Sequence, residues 1–304
     1  MNKIGLHMGY WIGTGVESDI FNILELTESA GIDVIEVLPG AILDLSSQER
    51  KKFKKTVADK GMVLSINGGL NETNDISSDD PSVRKSGIEH CKRVLSAISE
   101  VGADRWSGVN YSAWLKRPCR LLDVDEKKRV RDLSISSMKQ IIKTAESEGI
   151  SYCFEVVNRY EQFLFNTAAE GVAFAEEVDS PNAKLLIDTF HMNIEEDSVT
   201  DAIQYTAVRG RLGHFHAGES NRRVPGLVNG NIAWADILTT LVRVGYSGYI
   251  TMEPFVLMGN RAALNVCVWR NLSGDTGLDK LVEEARNGAE FIRSFLKNQK
   301  LILV

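Results

Sequence analysis

Cysteine is sparse and scattered in this chain of 304 residues: Cys91, Cys119, Cys153 and Cys267 stand far apart, with no Cys-x-x-Cys pair. That spacing excludes a disulfide scaffold and a thiolate zinc site. No apolar run approaches the ~20 residues that a membrane-spanning helix needs. The opening Met1-Asn2-Lys3-Ile4-Gly5-Leu6-His7 lacks the apolar core of a signal peptide and reads as a strand. These absences set the expectation of a cytoplasmic protein. Positive charge is not in excess either, with 35 Lys and Arg against 41 Asp and Glu and a net charge of −6. Such a balance repels phosphate backbones and anionic lipid, so neither nucleic acid nor membrane is expected as a partner. No Pro/Ser-rich linker or low-complexity stretch divides the chain. It is therefore read as a single domain over 1–304, ending in a short tail over 297–304 that closes on the apolar Leu301-Ile302-Leu303-Val304.

What is present is a rhythm. Short β-branched runs alternate with longer amphipathic stretches, and glycine stands between helix and next strand at Gly31, Gly61, Gly102, Gly149, Gly210 and Gly245. A left-handed helix cap needs a residue without Cβ at such places. The strand candidates are Ile4–Leu6, Val34–Val37, Val63–Ile66, Arg105–Gly108, Tyr152–Val156, Lys184–Ile187, Leu212–His216 and Tyr249–Met252. The helical stretches between them centre on 17–30, 47–60, 81–101, 124–148, 167–178, 196–208, 233–243 and 279–296. Eight βα units predict an α/β fold, a (β/α)8 TIM barrel. An open doubly wound sheet is the alternative. It would call for a glycine-rich phosphate loop after the first strand, where this chain has Met8-Gly9-Tyr10-Trp11-Ile12-Gly13-Thr14-Gly15.

In such barrels chemistry sits at the C-terminal ends of the strands. Four late strand candidates carry an ionisable residue there: Glu155, Asp188, His216 (with His214 before it) and Glu253. Taken singly, each has a plainer reading. A carboxylate closing a strand is commonly a turn or cap residue, either histidine is commonly a hydrogen-bonded core group, and Cys153, Phe154 and Phe215 read as packing. Taken together, they recur once per βα unit at intervals of 33, 28 and 37 residues. Three carboxylates gathered in one interior are costly unless a positive charge sits among them, and a divalent cation is the simplest one. Three carboxylates and one imidazole form an oxygen-rich set that suits Mn²⁺ or Mg²⁺, with Co²⁺ tolerated. Polar residues follow on the next loops: Asn158, Arg159 and Glu161; Thr189, His191, Asn193 and Glu195; Glu219, Asn221 and Arg222. Trp11, Trp114, Phe255 and Trp269 supply bulk around a pocket fit for a small polyol or sugar, although Trp269 reads rather as cover for the barrel rim.

The segments Glu155-Val156-Val157-Asn158-Arg159, Asp188-Thr189-Phe190-His191-Met192-Asn193-Ile194-Glu195-Glu196, Gly213-His214-Phe215-His216-Ala217-Gly218-Glu219-Ser220-Asn221-Arg222 and Met252-Glu253-Pro254-Phe255 resemble the ketose 3-epimerases of the xylose-isomerase-like barrel superfamily. That group includes the D-tagatose and D-psicose (D-allulose) 3-epimerases, and the resemblance covers nearly the whole chain. It implies metal ligation by Glu155, Asp188, His216 and Glu253. It implies substrate contacts from Glu161, His191 and Arg222, with Trp114 and Phe255 lining the pocket and a homodimer or homotetramer as the assembly. His214 has a supporting place in that pattern. The chain departs from the group at His7, where an aromatic Tyr or Phe is usual, at the small polar stretch Val63–Gly69, and in a longer loop over Arg223–Asn231. These positions bear on the preferred sugar, and His7 is counted among the substrate-binding candidates.

Epimerising C3 of a ketose removes a proton beside a carbonyl and returns it to the opposite face. A metal acting as a Lewis acid would stabilise the cis-enediolate, and two carboxylates would flank C3. Glu155 and Glu253 are the candidates for both ligation and proton transfer, and no nucleotide cofactor is implied. Two other enzyme readings compete: an aldose–ketose isomerase, which moves the proton between C1 and C2, and a metal-dependent phosphodiesterase or endonuclease. The second calls for a histidine-rich multinuclear site, and this chain has five histidines. A sugar-binding protein without catalysis is a third reading; it would need no pair of carboxylates about a metal.

Overall fold

The computed structural model describes residues 2–16, 19–258, 261–274 and 277–302, with the side chains of 261, 262 and 299–302 left aside. Eight strands follow one another in chain order around a closed parallel barrel. They are β1 (Ile4–His7), β2 (Val34–Val37), β3 (Val63–Asn67), β4 (Arg105–Gly108), β5 (Ser151–Val156), β6 (Ala183–Asp188), β7 (Leu212–Ala217) and β8 (Ile250–Met252). Each expected strand is present, with ends shifted by a residue or so. The helices are α1 (Ile20–Ser29), α2 (Pro39–Leu43), α3 (Ser47–Asp59), α4 (Pro81–Val101), α5 (Val124–Glu148), α6 (Ala168–Val178), α7 (Thr189–Glu195), α8 (Val199–Val208), α9 (Trp234–Arg243), α10 (Arg261–Asn265) and α11 (Leu278–Ile302). The expected tail over 297–304 is helical through Ile302, and residues 303–304 lie outside the described residues. The first expected helix, over 17–30, is α1; residues 17 and 18 also lie outside the description.

The chain forms two compact units, Met1–Ser65 with Phe215–Val304, and Ile66–His214. In the first, β1 runs parallel to both β2 and β8, with His7 opposite Glu36 and Leu6 opposite Met252. Helix α11 buries Leu281, Ala285, Ala289, Ile292 and Leu296, a stripe at helical period. It accepts a hydrogen bond at Leu281 from the Tyr10 hydroxyl at 2.9 Å. In the second unit, α4, α5 and α6 cover β4, β5 and β6. Their interface is aromatic: Tyr111 stacks on Phe165 at 4.1 Å, and Phe174 meets Phe154 edge-on at 5.1 Å. The ends of these helices follow local chemistry. Asp123 with Glu126 and Thr167 with Glu170 form reciprocal capping boxes at α5 and α6. At the other ends of α4 and α5, Gly102 and Gly149 take φ values of 74° and 67°, where a Cβ is strained.

Close backbone approach also sets one strand position. A Cβ placed on Gly213 of β7 would lie 2.4 Å from Lys184 Cβ and 2.7 Å from Cys153 Sγ. Neither contact can be relieved by a flexible side-chain end. Gly213→Ala is therefore expected to lower the free energy of unfolding by about 1–3 kcal/mol, read from urea denaturation. An unchanged midpoint would show that β5 to β7 give way more easily than their packing implies.

Candidate metal centre and active site

Within the unit Ile66–His214, β5 delivers Glu155 at its end. The Tyr111 hydroxyl donates to the Glu155 carbonyl at 3.1 Å, so the aromatic layer grips the strand at the functional residue. At the end of β6, Asp188 does two things. Its Oδ1 accepts from the Phe190 backbone N–H at 2.6 Å, capping α7, and the residue is fully buried. The sequence reading took Thr189, His191, Asn193 and Glu195 as loop residues; they form α7 instead, because Asp188 starts a helix directly from the strand end.

That helix sets His191. Its Nδ1 accepts from the Asn158 backbone N–H at 3.2 Å and faces the Asn158 side-chain amide at 2.8 Å. An accepting Nδ1 leaves the proton on Nε2, which lies 3.5 Å from Glu155 Oε1. Asn158 also donates to Glu161 Oε1 at 3.2 Å, and Trp114 Nε1 donates to Glu161 Oε2 at 2.9 Å. Trp114, Asn158, Glu161, His191 and Glu155 thus form one connected set. Glu195 takes a different part: it accepts from the guanidinium and backbone of Arg159, which ties α7 to the segment after β5.

Within the other unit, Glu253 follows β8 directly and is nine-tenths buried. Burial alone would raise the pKa of its carboxyl. His216, His7 and Arg222 outweigh that and hold it well below the usual carboxylate range. Arg222 Nη1 donates to Glu253 Oε2 at 3.0 Å, and His216 Nδ1 lies 3.6 Å from the same oxygen. Arg222 adopts a left-handed backbone conformation, φ 63°, and its carbonyl accepts from the Phe255 N–H at 2.9 Å. Its guanidinium carbon then sits 5.4 Å from the centre of the Phe255 ring. His7 accepts the Gly9 N–H on Nδ1 at 3.1 Å and packs beside Phe255, with ring centres 6.0 Å apart. Burial holds the His7 pKa below the usual histidine value, against the raising effect of Glu253 and Glu36. Only glycine fits at position 9, since a Cβ there would lie 2.6 Å from Phe255 and 2.8 Å from His7 Nδ1.

Glu155 and Asp188 stand at the ends of β5 and β6 in one unit, and in the other His216 stands near the end of β7 and Glu253 follows β8; each offers a donor atom of the kind a metal ion takes. All four residues are buried. Three buried carboxylates and one imidazole form an oxygen-rich set of the kind a hard divalent cation takes. The residues present therefore fit a bound divalent metal. Glu36, fully buried on β2, was missed in the sequence reading. Its Oε1 lies 2.7 Å from His216 Nε2, and its Oε2 accepts from Ser65 Oγ at 2.6 Å. The signal was the same as for the others, a carboxylate inside the β-branched run Val34-Ile35-Glu36-Val37. Trp11 is corrected in the other direction. It is fully buried and donates to Thr27 Oγ1 at 3.1 Å, so it packs α1 rather than walling a pocket. Trp269 points outward, 68% exposed. Glu219 accepts from Trp234 Nε1 at 2.8 Å and from the Gly226 N–H at 3.1 Å, and so organises the loop that follows it.

Residues 24–293 match the model of the xylose isomerase-like TIM barrel family. The chain is 35% identical over 298 residues to the D-psicose 3-epimerase of Ruminiclostridium cellulolyticum, covering 98% of this chain and 99% of that one. It is 37% identical to the D-psicose 3-epimerase of Agrobacterium fabrum, covering 97% and 99%. The chain belongs to the ketose 3-epimerase family. The crystal structure of D-psicose 3-epimerase with D-tagatose from Clostridium cellulolyticum H10 superposes with a TM-score of 0.90 at 35% identity, over 97% of this chain and 99% of that one. Members of this family are isomerases.

The Trp114–Glu161 bond is open to a direct test. Trp114→Phe keeps a ring and removes the N–H that Glu161 accepts. It is expected to lower thermal unfolding stability by about 1.5–3 kcal/mol, the range for a hydrogen bond to a charged group. A melting curve identical to the parent's would mean that this bond contributes nothing.

Proposed function

We propose that this ketose 3-epimerase interconverts free ketoses at C3, with D-psicose, D-tagatose, D-fructose or a ketopentose as substrate. The observation that carries the reading is the buried donor set Glu155, Asp188, His216 and Glu253, on a chain similar over nearly its full length to D-psicose 3-epimerases. Glu155, Asp188, His216 and Glu253 would hold a divalent cation, Mn²⁺ by preference, with Co²⁺ or Mg²⁺ as alternatives. When bound, the cation acts as a Lewis acid toward the negative charge that develops on the substrate oxygens.

The proton work falls to the chain's own carboxylates. One of Glu155 and Glu253 takes the C3 proton and the other delivers a proton to the opposite face, the order depending on the substrate. His191 directs its Nε2–H toward Glu155 and steadies that carboxylate, and Arg222 does the same for Glu253. Glu161, His191 and Arg222 serve as substrate contacts, while Trp114, Phe255 and His7 line the pocket. Other parts of the reading rest on separate features. The four free cysteines suit a reducing cytoplasm. The exposed Met258, Leu264 and Trp269 favour self-association as a homodimer or homotetramer. We read 1–304 as one domain. Among the described residues no helix is long and apolar enough to cross a membrane.

Glu155→Gln and Glu253→Gln are each expected to cut C3 proton exchange with deuterated water by two to four orders of magnitude with the fold intact by circular dichroism. Near-normal exchange in either variant removes that residue from the acid–base role. EDTA should inactivate the enzyme and Mn²⁺ restore it. Products identified at C3 from a panel of ketohexoses and ketopentoses confirm the epimerase reading, and aldose products would replace it with an aldose–ketose isomerase.

A further inference from the structure

We propose that Glu36 is a positioning residue that holds His216 in the Nε2–H tautomer, so that Nδ1 is the atom presented to the cation. The inference rests on the metal-site reading above and extends it to a residue outside the four ligands. The geometry is asymmetric. His216 Nε2 lies 2.7 Å from Glu36 Oε1, whereas its Nδ1 lies 3.6 Å from Glu253 Oε2, a fellow ligand. Ser65 Oγ donates to the other Glu36 oxygen at 2.6 Å and fixes the orientation of that carboxylate. A carboxylate accepts only, so the proton shared along the 2.7 Å contact belongs to His216 Nε2.

The three residues are fully buried, and their strands hold them in register. His7 of β1 stands opposite Glu36 of β2, and His216 of β7 stands opposite Thr251 of β8. A histidine whose far nitrogen donates to a buried carboxylate is fixed in ring orientation and is a stronger base at the ligating nitrogen. A second cation at Glu36 and His216 would have to displace the proton of their hydrogen bond, so the arrangement supports one metal and a supporting hydrogen bond, not two metals.

The test uses the full-length protein stripped of metal and titrated with Mn²⁺, free Mn²⁺ being followed by electron paramagnetic resonance. Circular dichroism and melting of each metal-free variant check the fold. The parent is expected to take up one Mn²⁺ per chain. Glu36→Leu should weaken that binding about 10–100-fold, while Glu36→Gln, which keeps an acceptor oxygen, loses less. Histidine ¹⁵N spectra should show His216 protonated on Nε2 in the metal-free parent and spread between tautomers in Glu36→Leu. The proposal is overturned by a Glu36→Leu affinity within about threefold of the parent, by a proton on Nδ1 in the parent, or by a second Mn²⁺ that is lost with Glu36. If Glu36→Leu does not fold, the parent spectrum and Glu36→Gln still decide. A parent that takes up no Mn²⁺ refutes the metal-site reading, and its His216 tautomer then judges the Glu36 contact separately.

Discussion

The cost of burying carboxylates at strand ends is the constraint on which both units depend. Glu155, Asp188 and Glu253 are each buried, and a buried carboxylate loses most of its water. Every neighbour with a positive charge or an N–H is turned toward that problem. Arg222 faces Glu253, His191 faces Glu155, and a backbone N–H of α7 takes one oxygen of Asp188. The donor set fits a divalent cation. The same groups that make the carboxylates tolerable also set their orientation, which the proposed proton transfer requires.

Rigid elements do the aiming. Glu155 is anchored through its own carbonyl by Tyr111, itself stacked on Phe165, so the catalytic candidate is tied to the packed layer between barrel and helices. Asp188 launches α7 from the last residue of β6, and the helix then carries His191 back to Asn158. On the other side Arg222 needs a left-handed backbone to lay its guanidinium over Phe255 and reach Glu253. Gly9 must lack a Cβ for His7 and Phe255 to approach. Local backbone chemistry and the electrostatics of the site are one design here.

Much of this was legible in the order of residues. Strand periods, helix lengths and the six helix-ending glycines are local signals, and all six glycines take positive φ. The four metal-site candidates were legible because each interrupts an apolar run at a strand end. Other features were hidden for physical reasons. The helix α7 is short and begins with no loop before it, so its residues looked like loop; only the Asp188 cap makes it a helix. Trp11 looked like a pocket wall because an aromatic near a strand end can face either way, and its bond to Thr27 is a contact across 16 residues. Glu36 carried the same signal as Glu155 but lies on an early strand, away from the four late ones on which the reading concentrated.

The alternation of apolar runs and amphipathic stretches was enough to determine an eight-unit βα barrel, and the long run from Asp188 to Glu196 enough to point to its family, since both depend on residues near one another along the chain. Which nitrogen of His216 faces the metal site, which carboxylate supports it, and which aromatic groups are core were decided only by the tertiary structure. Those choices depend on hydrogen bonds such as Glu36 to His216, formed between residues 180 apart in sequence, and no local pattern encodes a contact that exists only once the barrel has closed.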